Sequence, residues 1–220
     1  MTPQDVITQV RRLIQDNGTT LRYSDTILLG YVNQSLKRII PFRPDLFVTT
    51  GVLSPTASTV SQTLSTSVHR LIEIYSVVGG SAIQEVNRET LDQMLPTWTT
   101  ETAGTPLNWM RDPRNPRKYF LYPAPSSGIT LNAEYVGVPT AYGLSDTITE
   151  LPESYFGAVI DCTIFLAEST DNEHIGNGRA KFFYDSFMEA MSADFAQRAV
   201  TDAESGQVGA GGQQRGRGRQ

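Results

Sequence analysis

At 220 residues and 39% apolar side chains the chain can bury a sizeable core, and no run of about 18 apolar residues offers a membrane-spanning helix. The amino terminus MTPQDVITQVRRLIQDN is too polar for a secretory signal, so the expectation is a folded intracellular protein. Three of the 18 basic residues lie in the terminal RGRGRQ, leaving 15 against 23 acidic groups, a net of −8 over residues 1–214, and such an acidic body argues against a nucleic-acid-binding core, whose affinity comes mostly from Lys and Arg on phosphate.

In chain order, Thr2, Pro3 and Asp5 form a T-x-x-D start for a first helix, with Val6, Val10, Leu13 and Ile14 on one face and Asn17-Gly18 as the stop. Ser24 or Asp25 caps a second helix with a broad apolar stripe of Ile27, Leu28, Tyr31, Val32, Leu36, Ile39 and Ile40, ended by Pro41. The short connection fits an antiparallel helix pair. From Phe42 the period changes. Phe47, Val48, Val52 and Leu53 read as a strand, followed by a Ser/Thr-rich connection that is either an edge strand or a loop. His69 to Val78 alternates as a half-buried strand, and Gly79-Gly80 turns it into a second strand over Ala82 to Val86. Asn87 caps a short helix, RETLDQML, stopped by Pro96.

Residues 104–139 carry three apolar and aromatic runs, Leu107–Met110, Tyr119–Tyr122 and Ile129–Val136, each closed by proline, glycine or serine. They read as one meander, joined by DPRNPRK and PAPSSG. Pro152 opens a third long helix over about 153–169, with Phe156, Val159, Ile160, Ile164, Phe165 and Leu166 on its apolar face. A last helix, from about 176 to 200, places Phe182, Phe183, Phe187, Met188, Met191 and Phe195 on one side. The predicted class is α+β: an antiparallel helical bundle from residues 1–44 and 148–198, an inserted, mainly antiparallel β domain over 45–147, and a flexible tail over 199–220.

Catalytic chemistry is thin. His69 and His174 lack motif partners, Cys162 sits in an apolar helical pattern and reads as a buried, inert thiol, and no glycine-rich phosphate loop occurs. Glu168, Asp171, Glu173 and His174 are closest to a metal cluster, but their spacing suits helix capping better, so no metal, cofactor or catalytic residue is assigned. Arg111, Asp112, Arg114, Arg117 and Lys118, beside Trp109, Tyr119 and Tyr122, form a charged hairpin tip. RGRGR supplies a docking element for either phosphate or an acidic protein groove.

Several local features together resemble the head-to-tail adaptor (connector, tail tubular protein A-like) proteins of short-tailed bacteriophages. They are Leu13, Tyr31-Val32-Asn33 and Leu36 in the opening helices, G-T-P-L-N-W from Gly104, Y-x-L-Y-P-x-P from Tyr119, A-E-Y-x-x-x-P from Ala133, and L-P-E-S-Y from Leu151. The resemblance implies a non-enzymatic virion protein, made in the host cytoplasm, that forms a dodecameric ring between portal protein and tail nozzle protein. DNA would pass through the ring without specific binding, and no membrane is involved. Carried onto this chain, it makes Ala199 to Gln220 the portal-docking tail, with Arg215, Arg217, Arg219 and Gln220, and turns the tip residues 111–118 toward the nozzle. Two other readings are a nucleic-acid-binding module using the hairpin tip and RGRGR, and, further off, a polysaccharide hydrolase that would bring Asp92 and Glu101 together.

Overall fold

In a computed structural model, residues 1–170 and 178–193 are described, and the chain divides into two compact units, Met1–Phe42 with Ala141–Gln220, and Arg43–Thr140. Both helices and strands are present, the sheets being antiparallel and mixed.

The first unit begins with α1 (Pro3–Ile14), whose capping box is reciprocal: Thr2 Oγ1 accepts from the Asp5 N–H at 3.2 Å, and the Asp5 carboxylate accepts from the Thr2 N–H at 2.8 Å. The helix stops earlier than Asn17-Gly18 suggested. Gln15 takes the left-handed conformation (φ 60°), and the chain is held there by the Asp16 carboxylate, which is 7% exposed. That carboxylate accepts from Arg11 Nη1 at 2.6 Å and from the N–H groups of Arg22 and Tyr23 at 2.7 and 3.3 Å. Arg11 also reaches the Tyr23 carbonyl and Asp25, at the start of α2 (Asp25–Ile39), which Ser24 caps.

Tyr142 then re-enters beside α2, exchanging two hydrogen bonds with the Asn33 side chain at 2.7 and 3.0 Å. A 3-10 turn, Glu153–Tyr155, leads into α4 (Phe156–Thr170), so L-P-E-S-Y opens a tighter turn than the expected α-helix. Burial in α4 is wider than a single face and includes Val159, Ile160, Cys162, Thr163, Ile164 and Ala167. Such a helix is packed from several sides. It meets α1 and α2, and its Ala167 carbonyl accepts from the Tyr23 hydroxyl at 3.0 Å.

Residues 178–193 are helical, with Phe187 and Met191 buried and the Phe187 ring edge-on to Phe42 at 6.0 Å. Phe182, expected on the same apolar face, is 66% exposed instead. The i, i+4 spacing of Phe187 and Met191 sets the buried stripe, and Phe182 falls off it. Phe195 and the flexible tail lie outside the described residues.

The second unit holds two sheets. In one, β1 (Val48–Leu53), β7 (Leu131–Gly137) and β3 (Val68–Val77) lie in the order β1-β7-β3, all antiparallel. In the other, the order is β2 (Ser61–Thr63), β6 (Lys118–Tyr122), β5 (Asn108–Arg111), β4 (Gln84–Glu85), with β4 parallel to β5. Leu71, Ile74, Leu131 and Ala133 from the first sheet share one core with Trp109, Tyr119 and Leu121 from the second. Between β4 and β5, Asn87 caps α3 (Arg88–Met94) through its side-chain oxygen.

The expected three-stranded meander is therefore divided. β5 and β6 form the hairpin, whereas β7 crosses to the centre of the other sheet. The prolines of PAPSSG lack the N–H groups needed to extend the β6 ladder, and Gly128, at φ 81°, turns the chain away. The hairpin expected at Gly79-Gly80 is also shorter than its sequence. Gly79 does take a positive φ, but beyond the Ser76–Ala82 bridge and the Ile83 N–H to Tyr75 carbonyl bond, residues 84–85 leave to pair with β5. The Ser/Thr-rich connection supplies β2, an edge strand.

Candidate functional site

The charged end of the β5–β6 hairpin is the site to which sequence and structure both lead. Trp109 enters the shared core with no exposure, but Met110 is equally buried although it faces the opposite way. The second face is covered too. Trp98, 2% exposed, stands edge-on to Phe120 and Tyr122, and its indole N–H donates to Asp92 at 2.7 Å.

Beyond this platform the tip residues divide by role. The Asp112 and Asn115 side chains accept from the N–H groups of Arg114 and Arg117 at 2.9 and 3.0 Å, which shapes the turn. Arg111 grips Glu85 with two nitrogens at 2.9 and 3.1 Å, donates to the Leu71 and Ile72 carbonyls at 3.3 and 2.5 Å, and lies 5.0 Å from the Trp109 ring centre. Arg117 donates to the Leu64 carbonyl at 2.9 Å. The turn is bonded to its surroundings as well, because the Pro116 and Arg117 carbonyls accept from the N–H groups of Leu71 and Leu64. Two of the four cations expected at an exposed tip are thus engaged inside the unit, and Lys118 lies within β6, half-buried.

Arg111, Asp112 and Arg114, with Glu85, line a cleft of about 650 Å³ whose other wall is the start of α3, including Arg88, Glu89 and Asp92. The sequence hid this partnership, because it depends on the parallel pairing of residues 84–85 with 108–109. Its carboxylates sit among guanidinium groups, and no histidine, cysteine or serine lines it.

The other candidate groups are dispersed. Asp92 lines the cleft, whereas Glu101 accepts from the Tyr122 hydroxyl at 2.9 Å, a bond that raises the Tyr122 pKa, and Glu101 is not part of the cleft wall. His69 is exposed on β3. Glu168 is buried with Arg22 Nη1 at 3.9 Å, while Asp171, Glu173, His174, Arg215, Arg217, Arg219 and Gln220 lie outside the described residues. Among the described residues, no group of three or more His, Cys, Asp or Glu side chains could hold a metal ion, and no helix is long and apolar enough to cross a membrane. Cys162 is buried, which pushes its thiol up to about 11. Arg38 lies near it and pulls the pKa down, but burial outweighs it.

Residues 1–212 match the family described as SU10 adaptor protein, and the chain belongs to that family. That family is one of structural bacteriophage proteins and not an enzyme family, so the chain is a phage structural adaptor and a virion component. No curated relative matches the chain.

Proposed function

We propose that this chain is the head-to-tail adaptor of a short-tailed phage: a ring-forming subunit placed between the portal protein and the tail nozzle protein, around the channel through which DNA leaves the head. The observation that carries this reading is the family match, which runs over both units and into the carboxyl-terminal segment. Twelve copies form the ring. The helical unit packs as an antiparallel bundle and supplies the lateral contacts, while residues 45–147 face the nozzle through Arg111, Asp112, Arg114, Arg117 and Lys118. Residues 199–220 dock on the portal, where Arg215, Arg217 and Arg219 meet carboxylates as bidentate pairs and Gln220 closes the segment. The net charge of −8 over residues 1–214 keeps passing DNA from adhering to the ring.

The test is to image the purified chain mixed with its portal. Rings at the narrow end of the portal are expected, and a chain that stays monomeric and indifferent to portal would sink the proposal. Truncation after Ala199 is expected to abolish docking while leaving the thermal unfolding midpoint unchanged; undiminished docking would remove the tail from this role.

A further inference from the structure

The four strand edges of the β unit are treated unequally. β2 and β4, the edges of the mixed sheet, have three and two residues and offer little to pair with. The outer edge of β3 is largely occupied by the Ser76–Ala82 bridge, the Ile83 N–H on the Tyr75 carbonyl, the Leu71 N–H on the Pro116 carbonyl, and the Arg111 guanidinium on the Leu71 and Ile72 carbonyls.

β1 is different. Its six residues, VTTGVL, pair with β7 in unbroken register from Val48 opposite Val136 to Leu53 opposite Leu131, whereas β3 has three register shifts along β7. No proline, charge or bulge protects its outer edge, although proteins commonly use those devices to keep a free edge from pairing. Residues 46–68 contain no Asp, Glu, Lys or Arg in a chain that is 19% charged. Val48 and Val52 are 37% and 57% exposed. Among the described residues, the only backbone bonds made by β1 are its ladder with β7 and a turn bond from the Val48 N–H to Asp45. Alternate residues therefore direct their N–H and C=O groups outward.

We infer that the outer edge of β1 is a docking site for an extended strand of the next protein in the tail, which joins the sheet as a fourth strand. Among the described residues, no edge of another copy fits the role. A head-to-tail neighbour would have to offer a second long, open edge, and the remaining described edges are covered or short. Pairing of β1 with β1 is two-fold and closes on itself, so it cannot propagate around a ring. The chemistry of β1 sets that of its partner: an uncharged segment rich in β-branched residues, since a charged side chain would meet no counter-ion along residues 46–68. The identity of the partner rests on the adaptor reading above.

Cryo-electron microscopy of the assembled portal, adaptor and nozzle complex provides the test. A strand of the nozzle protein is expected about 4.8 Å from β1. A solvent-facing β1 edge in that complex, or a strand from another adaptor copy, overturns the inference. Variants give an independent reading. Val52→Lys changes an exposed side chain, and Thr50→Lys places its charge opposite Glu134, so both are expected to keep the wild-type unfolding midpoint. Recruitment of nozzle protein to portal-bound rings should fall by about tenfold or more in each; undiminished recruitment overturns the inference. Failure of the wild-type chain to form portal-bound rings would count against the adaptor reading, whereas bound rings with a bare β1 edge would count against this docking site alone.

Discussion

Cys162 and Tyr119 couple stability to alkaline pH through their burial. Desolvation raises the Cys162 thiol from 9.0 to about 11 and the Tyr119 phenol from 10.0 to about 12. The folded chain therefore holds protons that the unfolded chain has already released, and unfolding gains free energy as pH rises. Stability contributed by the neutral forms is intact below about pH 9, falls through the Cys162 window from about 9 to 11, and falls further with Tyr119 from about 10 to 12. The Cys162 contribution is on the order of 2 kcal/mol. Urea unfolding between pH 8 and 11 should show this decline, with no reaction of the native thiol toward a disulfide reagent at pH 8; a flat profile would contradict it. The cysteine's inertness could be read from its apolar helical surroundings, but Arg38 beside it could not, because that proximity depends on how α2 packs against α4.

Among the elements, the hairpin β5–β6 depends on Arg111 for a tie to β4 of its own sheet, through Glu85, and for a tie to the neighbouring sheet, through two carbonyls of β3. Arg111→Ala should destabilise the β unit by about 1–2 kcal/mol, since its side chain is part-exposed and the ion pair alone is worth little. Arg111→Lys should recover less than half of that, lacking the forked donors. Equal stability of all three proteins in urea would refute the tie. Local signals were legible wherever one residue decides the outcome, as with Thr2, Ser24 and Asn87 at helix starts and Gly79 at its turn. They failed where the deciding partner is distant in sequence. Gln15 ends α1 because the Asp16 carboxylate is held by Arg11, Arg22 and Tyr23, and β7 leaves its apparent neighbours because it fills the position between β1 and β3. Met110 escaped alternation because Trp98 belongs to a separate segment that covers its face.

For the whole molecule, the sequence made the adaptor family recognisable through its punctuation, such as G-T-P-L-N-W and L-P-E-S-Y, without revealing how the hairpin tip is used. Arg111 and Arg117 looked like free cations because their acceptors, Glu85 and the Leu64, Leu71 and Ile72 carbonyls, are supplied by other parts of the fold. The cleft beside Arg114 arises only once α3 is brought against the turn.

The helical unit is assembled from two stretches of chain separated by the whole of the β unit. During synthesis α1 and α2 leave the ribosome first, yet neither has α4 to pack against until residue 170 has been made. The β unit, contiguous in sequence, can fold in the interval. Nascent chains arrested at about residue 150, with the last ~30 residues still in the exit tunnel, should leave α1–α2 open to protease, and chains arrested beyond residue 200 should begin to protect it. Equal protection at both lengths would show that the first two helices do not wait for the fourth.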